Sequence, residues 1–105
     1  MAVKNISKRE LLVMIDAKED FDLIDVREQD EWDHYHIKGA RLIPMSIFQL
    51  KYEEIDFSKT VVLYCNSGAR SNMLANMLSQ QGKEVLNLEY GIQEFDNNDN
   101  AYIDK

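Results

Sequence analysis

The sequence predicts an α/β domain built on a mainly parallel sheet, and three observations carry that expectation. Short apolar runs alternate along the chain with segments of helical periodicity. The clearest run, Thr60-Val61-Val62-Leu63-Tyr64-Cys65, is β-branched and apolar without alternation, as expected of a strand covered on both faces. The four glycines and the single proline fall where the chain has to change direction. Strands and helices alternating at these lengths form parallel layers, and such sheets bind ligands outside the carboxyl ends of their strands.

Each element has its own signal. Ser7-Lys8-Arg9-Glu10 has the spacing of a capping box, and Leu11, Leu12 and Ile15 follow as the apolar stripe of a first helix. Phe21 to Val26 reads as a strand whose charges are Asp22 and Asp25. Glu28 to His36 is polar around one large anchor, Trp32, and predicts a short surface helix followed by a loop. Ala40 to Ile43 is a further short strand, closed by Pro44. Ser46 to Tyr52 predicts a short helix with Ile47, Phe48 and Leu50 turned inward.

After the central strand, Met73, Leu74, Met77 and Leu78 recur at helical spacing between Arg70 and Gln81, with Met73 and Met77 as core filling. Gly82 is placed to end that helix. Glu84 to Leu88 is a last strand and Gly91 to Phe95 one more helical turn. The core thus spans about residues 6–95. Residues 96–105 form a polar tail, opening Asp96-Asn97-Asn98-Asp99-Asn100, that is expected to fray.

Composition narrows the function classes. With 105 residues, 45% hydrophobic and 30% charged, the chain is read as a single domain over residues 1–105, large enough to need no staple. One cysteine removes disulfide frameworks and cysteine-rich zinc sites together. A net charge of -7 argues against a nucleic-acid or anionic-membrane surface, which needs clustered Lys and Arg. No apolar run approaches a membrane span, and the opening Met1-Ala2-Val3-Lys4-Asn5-Ile6-Ser7-Lys8 lacks the apolar core of a leader peptide. The expected location is the cytoplasm, where a thiol stays reduced.

The chemistry concentrates in one loop. Cys65 ends the most apolar strand, a helix begins about five residues later, and Asn66-Ser67-Gly68-Ala69-Arg70 lies between. A tight strand-to-helix turn aims successive N–H groups inward as an anion nest. The helix start adds partial positive charge and Arg70 a full one. All three favour thiolate over thiol, so the Cys65 pKa should fall. A lone cysteine at a strand end is more often a small buried hydrophobe; Cys-x-x-Gly-x-Arg in this setting reverses those odds.

Leu23-Ile24-Asp25-Val26-Arg27, then Glu31, then His36-Ile37-Lys38-Gly39-Ala40 with Ile43-Pro44 resembles the first signature of rhodanese domains. Val61 to Ser71, centred on Cys65-Asn66-Ser67-Gly68-Ala69-Arg70, resembles their active-site segment. The resemblance runs from about Ile6 to Phe95. It implies a rhodanese-like fold, a mainly parallel sheet of about five strands flanked by helices on both faces, whose loop cysteine carries sulfur as a persulfide. The catalytic position then falls on Cys65 and the binding loop on Asn66, Ser67, Gly68, Ala69, Arg70 and Ser71.

Asp25 and Arg27 lie at a strand end near that loop, and Arg27 and Glu31, four apart, could pair on a helix; structural support is the favoured role for all three. His34 and His36 lack a third ligand nearby and make a weak metal site, so His36 is read as a structural motif residue. Neither a metal nor an organic cofactor is called for. The resemblance implies double displacement at sulfur. Cys65 takes sulfur from a small donor, thiosulfate or a persulfide, and passes it to a thiol or protein acceptor, with cyanide the usual assay acceptor. Loop N–H groups would stabilise the sulfur anion, Arg70 would hold an anionic donor, and Ser67 or Ser71 would add a hydroxyl contact.

Two other readings compete. Cysteine phosphatases also close an anion loop with arginine, but with five residues between Cys and Arg; this chain has four, a smaller nest suited to sulfur rather than phosphate or arsenate. A relay or sensing module would keep a persulfidable Cys65 and turn over small donors poorly. One departure stands out: where rhodanese domains often show a glycine pair and then tryptophan, this chain has Tyr90-Gly91 and Phe95. Tyr90 would be strained if its position needs positive φ, and the pocket rim would differ.

Overall fold

The computed structural model describes residues 3–105; Met1 and Ala2, part of the opening segment read above for a leader, lie outside them. Ser7 caps the first helix, α1 (Lys8–Asp16), with the reciprocal Ser7–Glu10 box that the spacing predicts. Strand β1 (Lys4–Ile6) precedes it and β2 (Phe21–Asp25) follows. Next come α2 (Gln29–His34), β3 (His36–Ile37), β4 (Arg41–Leu42) and α3 (Phe48–Lys51). The second half holds β5 (Thr60–Tyr64), α4 (Ala69–Gln80), β6 (Leu86–Leu88) and β7 (Ile103–Asp104).

The main sheet has the order β1-β6-β5-β2-β4, and every pairing in it is parallel. The central strand β5 runs in register with β2 from Phe21↔Thr60 to Asp25↔Tyr64. Because side chains alternate along a strand, β5 feeds two cores. Val61, Leu63 and the following Cys65 pack with Phe48, Leu74, Ala75 and Leu78 on the side of α3 and α4. Val62 and Tyr64 pack with Leu11 of α1 on the other. Helices therefore cover both faces of a five-stranded parallel sheet, the architecture expected. Among the described residues no helix is long and apolar enough to cross a membrane.

One strand goes unread and two local expectations fail, each for an identifiable reason. β1 has one apolar residue in three and no readable period; its strand identity comes from pairing with β6, Lys4↔Leu86 to Ile6↔Leu88. In α3 only Phe48 is buried, while Ile47 and Leu50 are exposed, because a single turn has no second turn to repeat an inward face. On α4 the buried residues are Ser71, Leu74, Ala75, Leu78 and Ser79, a stripe at i, i+3, i+4, i+7 and i+8. That stripe leaves Met73 outside, 59% exposed, with Met77 at its edge.

Residues 96–105, expected to fray, are instead held down. Asp96 and Asp99 form a reciprocal cap on the 3-10 turn Asn97–Tyr102, and Lys8 reaches Asp99 at 2.9 Å. The Tyr102 hydroxyl donates to Asp16 at 2.8 Å, and β7 pairs antiparallel with β3. Asp96-x-x-Asp99 is itself a capping spacing, so the composition misled where the pattern was informative.

Candidate active site

Cys65 leaves the sheet at the carboxyl end of its central strand, on the side facing α4. The turn that follows depends on Gly68, which has φ +97 and caps α4. A Cβ there would stand 2.8 Å from the Glu89 carbonyl carbon, so only glycine fits both the backbone and the space. The reversal aims the Gly68 N–H at Cys65 Sγ, 3.1 Å away. The Ser71 hydroxyl lies 3.5 Å from Sγ and 3.2 Å from the Gly68 carbonyl oxygen. Ala69 opens α4, with its N–H 3.4 Å from Ser67 Oγ.

These contacts set the thiol's acidity. Burial is the largest influence and pushes the Cys65 pKa up, but the Ser71 hydroxyl and the N–H groups of Ser71, Gly68 and Ser67 together outweigh it. The thiol ends below its ordinary value, in the direction that the loop sequence predicts. The start of α4 favours the anion in the same sense.

The back of the loop is held by residues the sequence did not single out. Ile92 N–H donates to the Cys65 carbonyl at 3.0 Å and Gln93 N–H to the Asn66 carbonyl at 3.1 Å. Gly91 brings that 3-10 turn in at φ +70. Tyr90 is not strained: among the described residues Lys18 is the one non-glycine with positive φ, and Gly91 carries the special backbone itself. Tyr90 is half exposed and Phe95 packs into the α1-side core.

The charged neighbours form two pairs, and neither is the Arg27–Glu31 pair the spacing allowed. Arg27 precedes Glu28, the N-cap of α2, so it stands outside the helix and the four-residue geometry does not apply. It turns instead to Asp25, with Nη2 to Oδ2 at 2.9 Å and its own N–H to Oδ1 at 2.8 Å. Both residues are buried. Arg27 also donates to the Tyr35 carbonyl at 2.7 Å and lies 6.0 Å from the Tyr64 ring centre. The Tyr64 hydroxyl accepts from Ile37 N–H at 3.1 Å, and burial with Asp25 nearby holds its pKa well above the usual value. Asp25 and Arg27 thus brace the residue before Cys65.

Glu31 pairs with Arg70 instead, at 2.8 Å for both oxygen–nitrogen contacts. Arg70, opposed by burial and helped by Glu28 N–H, holds the Glu31 carboxyl down at about 2. Arg70 itself is raised, chiefly by Glu31 and also by the adjacent Cys65 sulfur.

His36 stands apart from this cluster. Its ring stacks on Trp32 at 3.5 Å, Nδ1 meets the Trp32 carbonyl at 3.1 Å, and Nε2 lies 3.8 Å from Asp104. It joins α2 to β7. Among the described residues no group of three or more His, Cys, Asp or Glu side chains could hold a metal ion.

A left-handed glycine, a buried sulfur facing inward N–H groups and a helix start thus meet in one strand-to-helix loop, and the likeness to known proteins extends well beyond it: the family model described as Rhodanese-like domain fits residues 7–98. The chain belongs to the rhodanese-like family. Thiosulfate sulfurtransferase GlpE of Coxiella burnetii is 36% identical over 94 residues, covering 89% of this chain and 87% of that protein. YrkF of Bacillus subtilis, provisionally named a sulfur carrier protein, is 30% identical over 95 residues, 90% of this chain. The chain spans about half of YrkF's length, 51%. Among solved structures, SSP1007 from Staphylococcus saprophyticus superposes with a TM-score of 0.82 at 29% identity, covering 90% of this chain and 94% of that one.

Proposed function

We propose that this rhodanese-like chain moves sulfane sulfur through a persulfide on Cys65, with Asn66 to Ser71 as the binding loop. The observation that carries the reading is the Gly68 N–H directed at Cys65 Sγ from 3.1 Å, in a loop whose donors lower the thiol's pKa. Those donors would serve a thiolate and a persulfide anion alike. Cys65 thiolate attacks the outer sulfur of a donor such as thiosulfate; a new S–S bond forms, the donor's S–S bond breaks, and its electron pair leaves on sulfite. The terminal sulfur then passes to a thiol or protein acceptor, or to cyanide in an assay, restoring the thiolate. The naming of GlpE as a thiosulfate sulfurtransferase supports this donor.

A second reading has its own support in the naming of YrkF as a sulfur carrier. In it Cys65 receives sulfur and hands it to a protein partner, with little turnover of small donors. Intact-protein mass spectrometry after incubation with thiosulfate tests the shared step. The reduced chain should gain one sulfur atom that cyanide removes, and Cys65→Ser should gain none. Steady-state turnover with cyanide then separates enzyme from carrier. A wild-type chain that takes no sulfur from thiosulfate or from a protein persulfide would overturn both.

A further inference from the structure

Arg70 supplies the positive charge that an anionic donor would be expected to seek, yet that charge is already paired. Nη1 and Nη2 each donate to a different oxygen of Glu31, both at 2.8 Å. A two-point guanidinium–carboxylate pair takes two of the five N–H donors and neutralises the charge that another anion would seek. Glu31 is itself oriented, because Oε1 accepts the Glu28 N–H at 3.0 Å. The neighbouring cation offers no substitute: Arg27 is buried against Asp25. Beside Cys65, then, the charges cancel pairwise.

The Glu31 and Arg70 side chains are about a third exposed, 31% and 34%, unlike the buried Asp25–Arg27 pair. Water screens such a pair, and it exchanges partners far more readily than a buried one. Cys65 is fully buried, so a donor reaches Sγ only when its surroundings open. Arg70 stands in the first turn of α4, in the loop around that sulfur, whose charge adds to the raising of its pKa.

We propose that Glu31 is a specificity-determining residue that competes with the donor for Arg70. A dianion such as thiosulfate competes with the Glu31 carboxylate for that charge, and the loop favours donors carrying less negative charge. The substrate side of this inference rests on the sulfur-transfer reading above. The competition itself applies to any anion approaching Cys65.

The test therefore uses two alkylating probes that differ in charge. Reduced full-length chain is treated with iodoacetamide, which is neutral, and iodoacetate, an anion, in wild type and in Glu31→Gln. Glutamine keeps the size and the acceptor for Glu28 N–H. The iodoacetate-to-iodoacetamide rate ratio should rise about three- to tenfold, as expected for uncovering one charge at a partly exposed site, with the iodoacetamide rate within about twofold of wild type. The rate of thiosulfate-driven sulfur uptake should rise by a similar factor. An unchanged ratio would overturn the proposal. So would an equal rise when Glu31→Gln is placed on Arg70→Gln, since bare charge removal would then suffice. A raised ratio without sulfur uptake from thiosulfate in either form would sustain the competition and remove thiosulfate as the donor.

Discussion

Gly91 lies against the back of the Cys65 loop so closely that a Cβ there would stand 2.5 Å from the Asn66 carbonyl carbon and 2.5 Å from the Cys65 carbonyl oxygen. Its backbone, at φ +70 and ψ -170, is in a region open essentially to glycine. The turn that ties down the loop can approach only because that position has no side chain. Gly91→Ala should cost about 2–4 kcal/mol, from backbone strain in that region plus crowding. Gly39→Ala, at φ +84 with nothing near its Cβ, should cost only the strain, about 1–2 kcal/mol. Urea unfolding of the two variants measures the difference, and only Gly91→Ala should also disturb Cys65 alkylation.

Ser71→Ala should raise the Cys65 pKa. The Ser71 hydroxyl is the largest influence lowering it, and a hydrogen bond to the charged form favours that form. In wild type, alkylation by iodoacetamide should reach half its limiting rate below the ordinary thiol value of about 8.5. In the variant the midpoint should move up, and the reaction at pH 7 should slow. The pH–rate profile reads both quantities.

Acid should weaken the Arg70–Glu31 pair in a defined window. The folded Glu31 carboxyl is held at about 2 against an ordinary 4.5, so its stabilisation is fully present above about 4.5 and is lost as pH falls toward about 2. Because both side chains are a third exposed, the effect should be about 1 kcal/mol, as for a screened pair. Unfolding free energies from pH 5 to pH 2 should fall more steeply in wild type than in Glu31→Gln.

The Asp25–Arg27 pair should behave differently because it is buried. Asp25→Ala leaves a guanidinium in the core without its carboxylate and should cost about 3–5 kcal/mol. Replacing both partners with apolar residues should recover part of that loss. A double-mutant cycle in urea tests this, and a purely additive result would show that the two are not coupled.

Much of the architecture was readable because its signals are local. The Ser7–Glu10 box, the unbroken apolar run of β5 and the stripe containing Leu74 and Leu78 each lie within a few residues. The errors share a cause as well. Apolar character at helical spacing points Met73 and Leu50 inward, but the face that packs is chosen by what lies opposite. Polarity points the tail to solvent, but Asp99 and Tyr102 find Lys8 and Asp16, more than 80 residues away in sequence.

Within the candidate site the same division holds. Cys65, Gly68, Arg70 and Ser71 are near neighbours in sequence, and a strand-to-helix turn with a left-handed glycine is a local property of that segment. The sequence by itself therefore determined the α/β class, the element order of the central units and the loop with its one cysteine. Tertiary structure alone decided that Arg70 faces Glu31 and that Gly91 and Ile92 support the loop from behind. Those contacts exist because the order β1-β6-β5-β2-β4 sets the ends of β2 and β6 on either side of β5. No period or propensity in either partner encodes the other, since the free energy of each contact resides in the juxtaposition that the folded sheet creates.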